Sequence, residues 1–109
     1  MISVPAGAIN IYPLVKGTPA EHFTDTDFEL FIGAIPKALN DTATGGNVDW
    51  KNEQTGASGR ITVDSEFRNG GRDCRRVRIE MQANKRKGRS AYDLCRRADD
   101  SRWDLFTPK

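Results

Sequence analysis

Cys74 and Cys95 constrain this chain more than any other pair of residues. They stand 21 positions apart, on either side of the turn-rich stretch Asn84 to Gly88. If the chain folds there into a hairpin centred near residue 85, the two sulfurs lie almost equally far from the turn, on neighbouring strands and within bridging reach. The separation excludes a CxxC redox pair, and a single His leaves too few soft ligands for a four-coordinate zinc site. Two reduced core thiols remain the alternative. A Cys74–Cys95 disulfide closing such a loop is expected to contribute roughly 3 kcal/mol by restricting the unfolded chain. It implies an oxidising home, the periplasm or the cell surface.

The hydrophobic pattern around the hairpin has period two, which places alternate side chains on opposite faces of a strand. Val77, Ile79 and Met81 share one face, and Arg76, Arg78 and Glu80 share the other. Upstream, Val48 and Trp50 alternate with polar neighbours. After a loop from Asn52 to Gly59, Ile61, Val63 and then Phe67 resume the alternation, and Asn69-Gly70-Gly71 supplies a turn. Ala91 to Arg96 returns the hairpin, and Trp103, Leu105 and Phe106 form a last short strand.

Before residue 40 the period is 3.6 instead. Phe28, Phe31, Ile32, Ile35 and Leu39 make one apolar stripe, and Thr26-Asp27-Phe28-Glu29 fits a capping box that starts a helix near Thr26. Pro36 removes an internal hydrogen bond and is expected to kink the helix or end it at Ile35. The pattern predicts an α+β fold in which one N-terminal amphipathic helix packs on a four- to five-stranded antiparallel sheet. The predicted core is Phe28, Phe31, Ile32, Ile35, Leu39, Trp50, Ile61, Val63, Val77, Ile79, Met81 and Trp103.

A chain of 109 residues suffices for one domain with one core. Prolines at 5, 13 and 19 make residues 1–23 an extended N-terminal arm, with residues 24–109 as the folded α+β domain. Part of the arm could add an edge strand, to this sheet or to a partner's. No stretch approaches the roughly 20 apolar residues that a membrane-spanning helix needs, so no transmembrane segment is expected. The N-terminus also lacks the basic start and apolar run of a secretory signal, so the protein is either cytosolic or a mature or trimmed chain with an added Met1, and the cysteines favour the second.

The net charge of +2 hides an asymmetry. Residues 1–67 hold 4 Lys+Arg against 9 Asp+Glu, whereas residues 68–109 hold 13 against 6. A solvated hairpin kept apart by its arginines is the simplest reading. The functional reading is an anion-binding surface of Lys85, Arg86, Lys87 and Arg89, with anionic lipid, polysaccharide or envelope proteins as partners. Tyr92 alone is no stacking platform, so no specific nucleic acid is expected.

Catalysis has little to work with. A Ser or Cys nucleophile needs a base, and the only His, His22, lies in the arm. Asp99-Asp100 reads as a turn before Trp103. The glycines of Thr55-Gly56-Ala57-Ser58-Gly59 do not lead from a strand into a helix with a phosphate-binding Lys. No catalytic residue, cofactor or metal site is expected. Arg75 and Arg97 are expected to pair with Asp73, Asp93 or Asp99 across the hairpin.

Three segments resemble a known family. They are Asp49-Trp50-Lys51-Asn52-Glu53-Gln54-Thr55-Gly56-Ala57-Ser58-Gly59-Arg60-Ile61-Thr62-Val63, then Asp73-Cys74-Arg75-Arg76, then Leu94-Cys95-Arg96-Arg97-Ala98-Asp99-Asp100-Ser101-Arg102-Trp103. Together they resemble the C-terminal domain of the bacterial 17 kDa surface antigen family of outer-membrane proteins, over roughly residues 25 to 106. The resemblance implies an envelope location and, in relatives, a lipoprotein signal and a glycine-zipper segment ahead of the domain; neither pattern occurs in this sequence. It transfers no catalytic residue. The expected function is therefore a non-enzymatic envelope domain with a structural or surface-recognition role, in the periplasm or at the outer-membrane surface. The alternatives are a periplasmic inhibitor of a lysozyme-type enzyme and a nucleic-acid-binding module that uses the basic hairpin.

Overall fold

The computed structural model describes residues 17–97 and 102–105. One helix, α1 (Asp25–Asn40), packs on a five-stranded antiparallel sheet of strands β1 (Asn47–Lys51), β2 (Ser58–Asn69), β3 (Arg72–Ala83), β4 (Arg86–Arg96) and β5 (Trp103–Leu105). The strands lie in chain order, β1-β2-β3-β4-β5, so each pairs with its sequence neighbour as a meander. This is the predicted α+β architecture.

The helix begins two residues earlier than its sequence suggests. Thr24 is the cap: its hydroxyl accepts from the Asp27 amide at 3.2 Å, and the Asp27 carboxylate accepts from the Thr24 amide at 2.8 Å. Both Thr24-x-x-Asp27 and Thr26-x-x-Glu29 carry the box spacing. The first prevails because Asp27 also takes hydrogen bonds from Asn52 and Thr55 in the β1–β2 loop, whereas Thr26 and Glu29 are exposed.

Pro36 does not end the helix, which runs through it to Asn40. Interior proline costs about 3 kcal/mol. The last turn offsets this by burying Ala38 and Leu39, and full burial of a leucine alone contributes about 1.5–3 kcal/mol. It is also tied down from the sheet. Arg75 donates to the carbonyls of Ala38 and Thr42, and the Trp103 indole donates to Asn40 Oδ1 at 3.0 Å.

The buried stripe of α1 is Asp27, Phe31, Ala34, Ile35, Ala38 and Leu39. Against it lie Trp50, Ile61, Val63, Val77, Ile79, Met81, Leu94 and Trp103. Two residues of the predicted core sit differently. Phe28 is half-buried at the margin, edge-on to Phe23 with ring centres 5.4 Å apart, and Ile32 is half-buried on the shoulder of the stripe, outside the core cluster. Ala34 and Ala38 take the central positions, where small side chains let the helix approach the sheet.

The end of the arm is not extended. Pro19–His22 form one 3-10 turn capped by Thr18, with Pro19 and Ala20 buried. The turn covers the end of the sheet that α1 does not reach, and Gly88 makes room for it, since a Cβ there would meet Pro19 Cδ at 2.6 Å. Residues 1–16, and with them the edge-strand expectation, lie outside the described residues, as do Phe106 and the Asp99-Asp100 turn.

The long hairpin turns more tightly than expected. Asn84 and Lys85 alone form the turn, both with positive φ (51° and 63°), and β4 starts at Arg86. Two left-handed residues match the right-handed twist of the flanking strands. Gly70 and Gly71 turn the β2–β3 hairpin in the same way. A bulge between Val63 and Ser65 then shifts the parity of β2, so Phe67 falls opposite Cys74 rather than continuing the row of Ile61 and Val63.

Candidate functional site

Alternation assigns each strand residue to one of two sheet faces. Trp50, Ile61, Val77, Ile79, Met81 and Leu94 face α1 and the 3-10 turn. The other side is the open face, and the register lays its side chains in rows across the strands. Lys51, Ser58, Gln82 and Lys87 are successive cross-strand partners from β1 to β4. The next row is Asp49, Arg60, Glu80 and Arg89. These two rows line a shallow groove of about 640 Å³.

Charges within the groove are paired unequally. Arg60 grips Asp49 through both carboxylate oxygens, at 2.7 and 3.1 Å, and this bond holds the Asp49 carboxyl below its ordinary pKa. Lys51, Lys87 and Arg89 make no hydrogen bond or ion pair among the described residues; Glu80 makes none either, but it stands opposite Arg60 and, after the Asp49 bond, its charge helps to raise the Arg60 pKa. Three cations and one carboxylate are thus available to a ligand. Further along the same face, Arg76 grips Asp93 at 2.7 and 3.0 Å, and Arg78 reaches Asp64 at 3.5 Å.

The disulfide sits at the far end of this face. Cys74 and Cys95 are direct partners in the β3–β4 register, bonded at 2.03 Å with Cα atoms 4.0 Å apart, and both are 1% exposed. Phe67 and Asp104 flank them in register. The bridge therefore joins the hairpin where β2 and β5 meet it, outside the apolar core on the helix side.

The basic cluster read from the sequence does not form one surface. Lys85 occupies the turn and Arg86 points to the helix side. Lys87 and Arg89 share the open face with Lys51, which comes from β1. Local charge density suggested the four residues, but strand alternation separates them. Lys51, Ser58, Gln82 and Glu80 were not singled out, because their proximity depends on register across four strands. The arginine partners also differ from expectation. Arg75 reaches Glu66 at 3.5 Å and the end of α1, Asp93 belongs to Arg76, and Asp73 belongs to Arg68. Arg97 lies 4.0 Å from Asp104.

Asp27, 1% exposed, accepts from the Thr24 amide, the Asn52 amide group at 2.7 Å and the Thr55 hydroxyl at 2.8 Å. Burial by itself raises the Asp27 pKa, and the hydrogen bonds from Thr24, Thr55 and Asn52 outweigh it, leaving the carboxyl below its ordinary value of 3.8. This carboxylate is spent on the fold. The Trp50-x-Asn52-x-x-Thr55 spacing has the same purpose: Trp50 packs edge-on to Phe23 at 5.2 Å, over Gly59, where a Cβ would lie 2.3 Å from the indole nitrogen. Among the described residues, no group of three potential metal ligands comes together.

The structure is that of a small disulfide-bridged α+β domain with one covered and one open sheet face. The family model of the 17 kDa outer membrane surface antigen matches residues 37–104, more than half the chain, and the chain belongs to that family. Membership assigns it to the bacterial outer-membrane surface antigens and so to the cell envelope. No curated protein and no solved structure matches it. No helix among the described residues is long and apolar enough to cross a membrane.

Proposed function

We propose that the domain is a non-enzymatic recognition module of the envelope, working in the periplasm or at the outer surface, and that it meets its ligand with the open face of the sheet. One observation carries this reading. The helix and the 3-10 turn cover one face, while the other keeps a groove in which Lys51, Lys87 and Arg89 are left unpaired. A purely structural sheet face at a surface gains most from mutually paired charges, as Arg60–Asp49 within the groove and Arg76–Asp93 further along show. Unpaired cations beside them are available for contact. The non-enzymatic reading is supported by Asp27, whose oxygens are already engaged in the fold, and by the exposure of His22 in the 3-10 turn on the covered side.

Co-sedimentation with purified outer-membrane fragments tests the proposal. Wild-type protein should sediment with the fragments, Lys51→Glu/Lys87→Glu should stay in the supernatant, and Glu29→Lys on the outer side of α1 should behave as wild type. Loss of sedimentation in Glu29→Lys, with retention in the double variant, would move the working surface to the helix.

A further inference from the structure

The row of side chains at the mouth of the groove has an order that charge alone does not require. Lys51 and Lys87 stand at its two ends, with the Ser58 hydroxyl and the Gln82 amide between them. Three strand spacings separate the ends, about 14 Å between backbones. Two cations held apart by neutral hydrogen-bonding groups complement a chain whose acidic groups are separated by stretches of hydroxyls. Glu80, one row behind, is an acceptor for hydroxyl donors. We infer that the groove binds an acidic polysaccharide, its carboxylates seated on Lys51 and Lys87 with Arg89 beside them and its hydroxyls on Ser58, Gln82 and Glu80. The inference rests on the open face being the working surface and names its ligand class.

Other anionic surfaces suit the groove less well. A bilayer headgroup layer is flat, and the groove offers no large apolar side chain for insertion; Phe67 lies half-buried at the disulfide end of the face, and among the described residues the exposed large hydrophobic side chain, Leu30, belongs to α1. A nucleic acid gains from the stacking of its bases on aromatic rings. The groove has no aromatic ring on its open side: Phe67, the aromatic residue of this face, lies at the disulfide end and outside the groove. At about 640 Å³ and broadly open to solvent, it has room for a short run of sugars.

Polygalacturonate is the first probe, because a carboxylate on every sugar presents every spacing to the two lysines. Titrated by calorimetry, the intact domain should bind it with an affinity that falls as salt rises, and should ignore neutral dextran. Lys51→Glu/Lys87→Glu should weaken binding by about tenfold or more, a size set by two charge contacts each reversed in sign. Lys37→Glu/Arg68→Glu makes the same net charge change on exposed positions away from the groove and should stay within about twofold of wild type. Thermal melts of both variants check that they fold.

Three results would each overturn the inference: silence toward polygalacturonate, equal binding to dextran, or equal loss in the two double variants. Binding to phosphatidylglycerol vesicles without binding to polygalacturonate would assign the groove to lipid instead. If polygalacturonate is silent while Lys51→Glu/Lys87→Glu still abolishes sedimentation with outer membranes, the glycan assignment fails and the open-face reading stands. If that variant also sediments normally, both fall.

Discussion

Asp27 shows how one residue joins three parts of the chain. It caps α1 and holds Asn52 and Thr55, so the start of the helix and the β1–β2 loop depend on one carboxylate. Asp27→Ala should cost about 2–4 kcal/mol in urea denaturation, from a lost cap and two buried donors left without an acceptor. The pH dependence follows from its depressed pKa. A carboxyl whose folded pKa lies below its unfolded one contributes fully above the unfolded value, and that contribution is lost as pH falls through the folded value. Wild-type stability should therefore drop below about pH 4 more steeply than that of Asp27→Asn, as melts over a pH series will show. Gly59 is a second such point. Gly59→Ala places a methyl against the Trp50 ring and should cost about 1–3 kcal/mol with a shift in tryptophan fluorescence.

At the scale of elements, α1 carries its proline against local preference. Pro36→Ala restores an amide donor inside the helix and removes a ring clash, so it should stabilise the domain by about 1–3 kcal/mol in denaturant titration. A neutral or destabilising effect would mean that the helix is shaped around the ring. Such tertiary compensation is what the sequence could not reveal. The stripe from Phe31 to Leu39 and the alternation of Val77, Ile79 and Met81 were legible because periodicity is a local property of the chain. The start of α1 was ambiguous because two Thr-x-x-acid boxes overlap, and only the β1–β2 loop decides between them. The bulge after Val63 leaves no compositional trace, yet it moves Phe67 to the other face. The cysteines were legible for a symmetric reason, since any tight hairpin turn near residue 85 brings both to the same level. The groove was not, because it needs four strands in register.

For the whole molecule, the disulfide and the two-faced sheet are separable claims. Reduction of Cys74–Cys95 should lower the melting temperature by roughly 10–20 °C, the effect of about 3 kcal/mol on a domain of this size. An unchanged melt under reductant would leave the meander without its staple. The division of labour between faces concerns function. Helix and 3-10 turn bury the apolar side, which frees the opposite side from any need to be dry. Amide chemical-shift mapping tests that division most directly, with isotope-labelled domain titrated with solubilised outer-membrane glycan. Perturbations should gather at Lys51, Ser58, Gln82, Lys87 and Arg89 and leave the outer side of α1 unmoved. Shifts centred on Glu29, Leu30 and Gly33, with the groove silent, would contradict it.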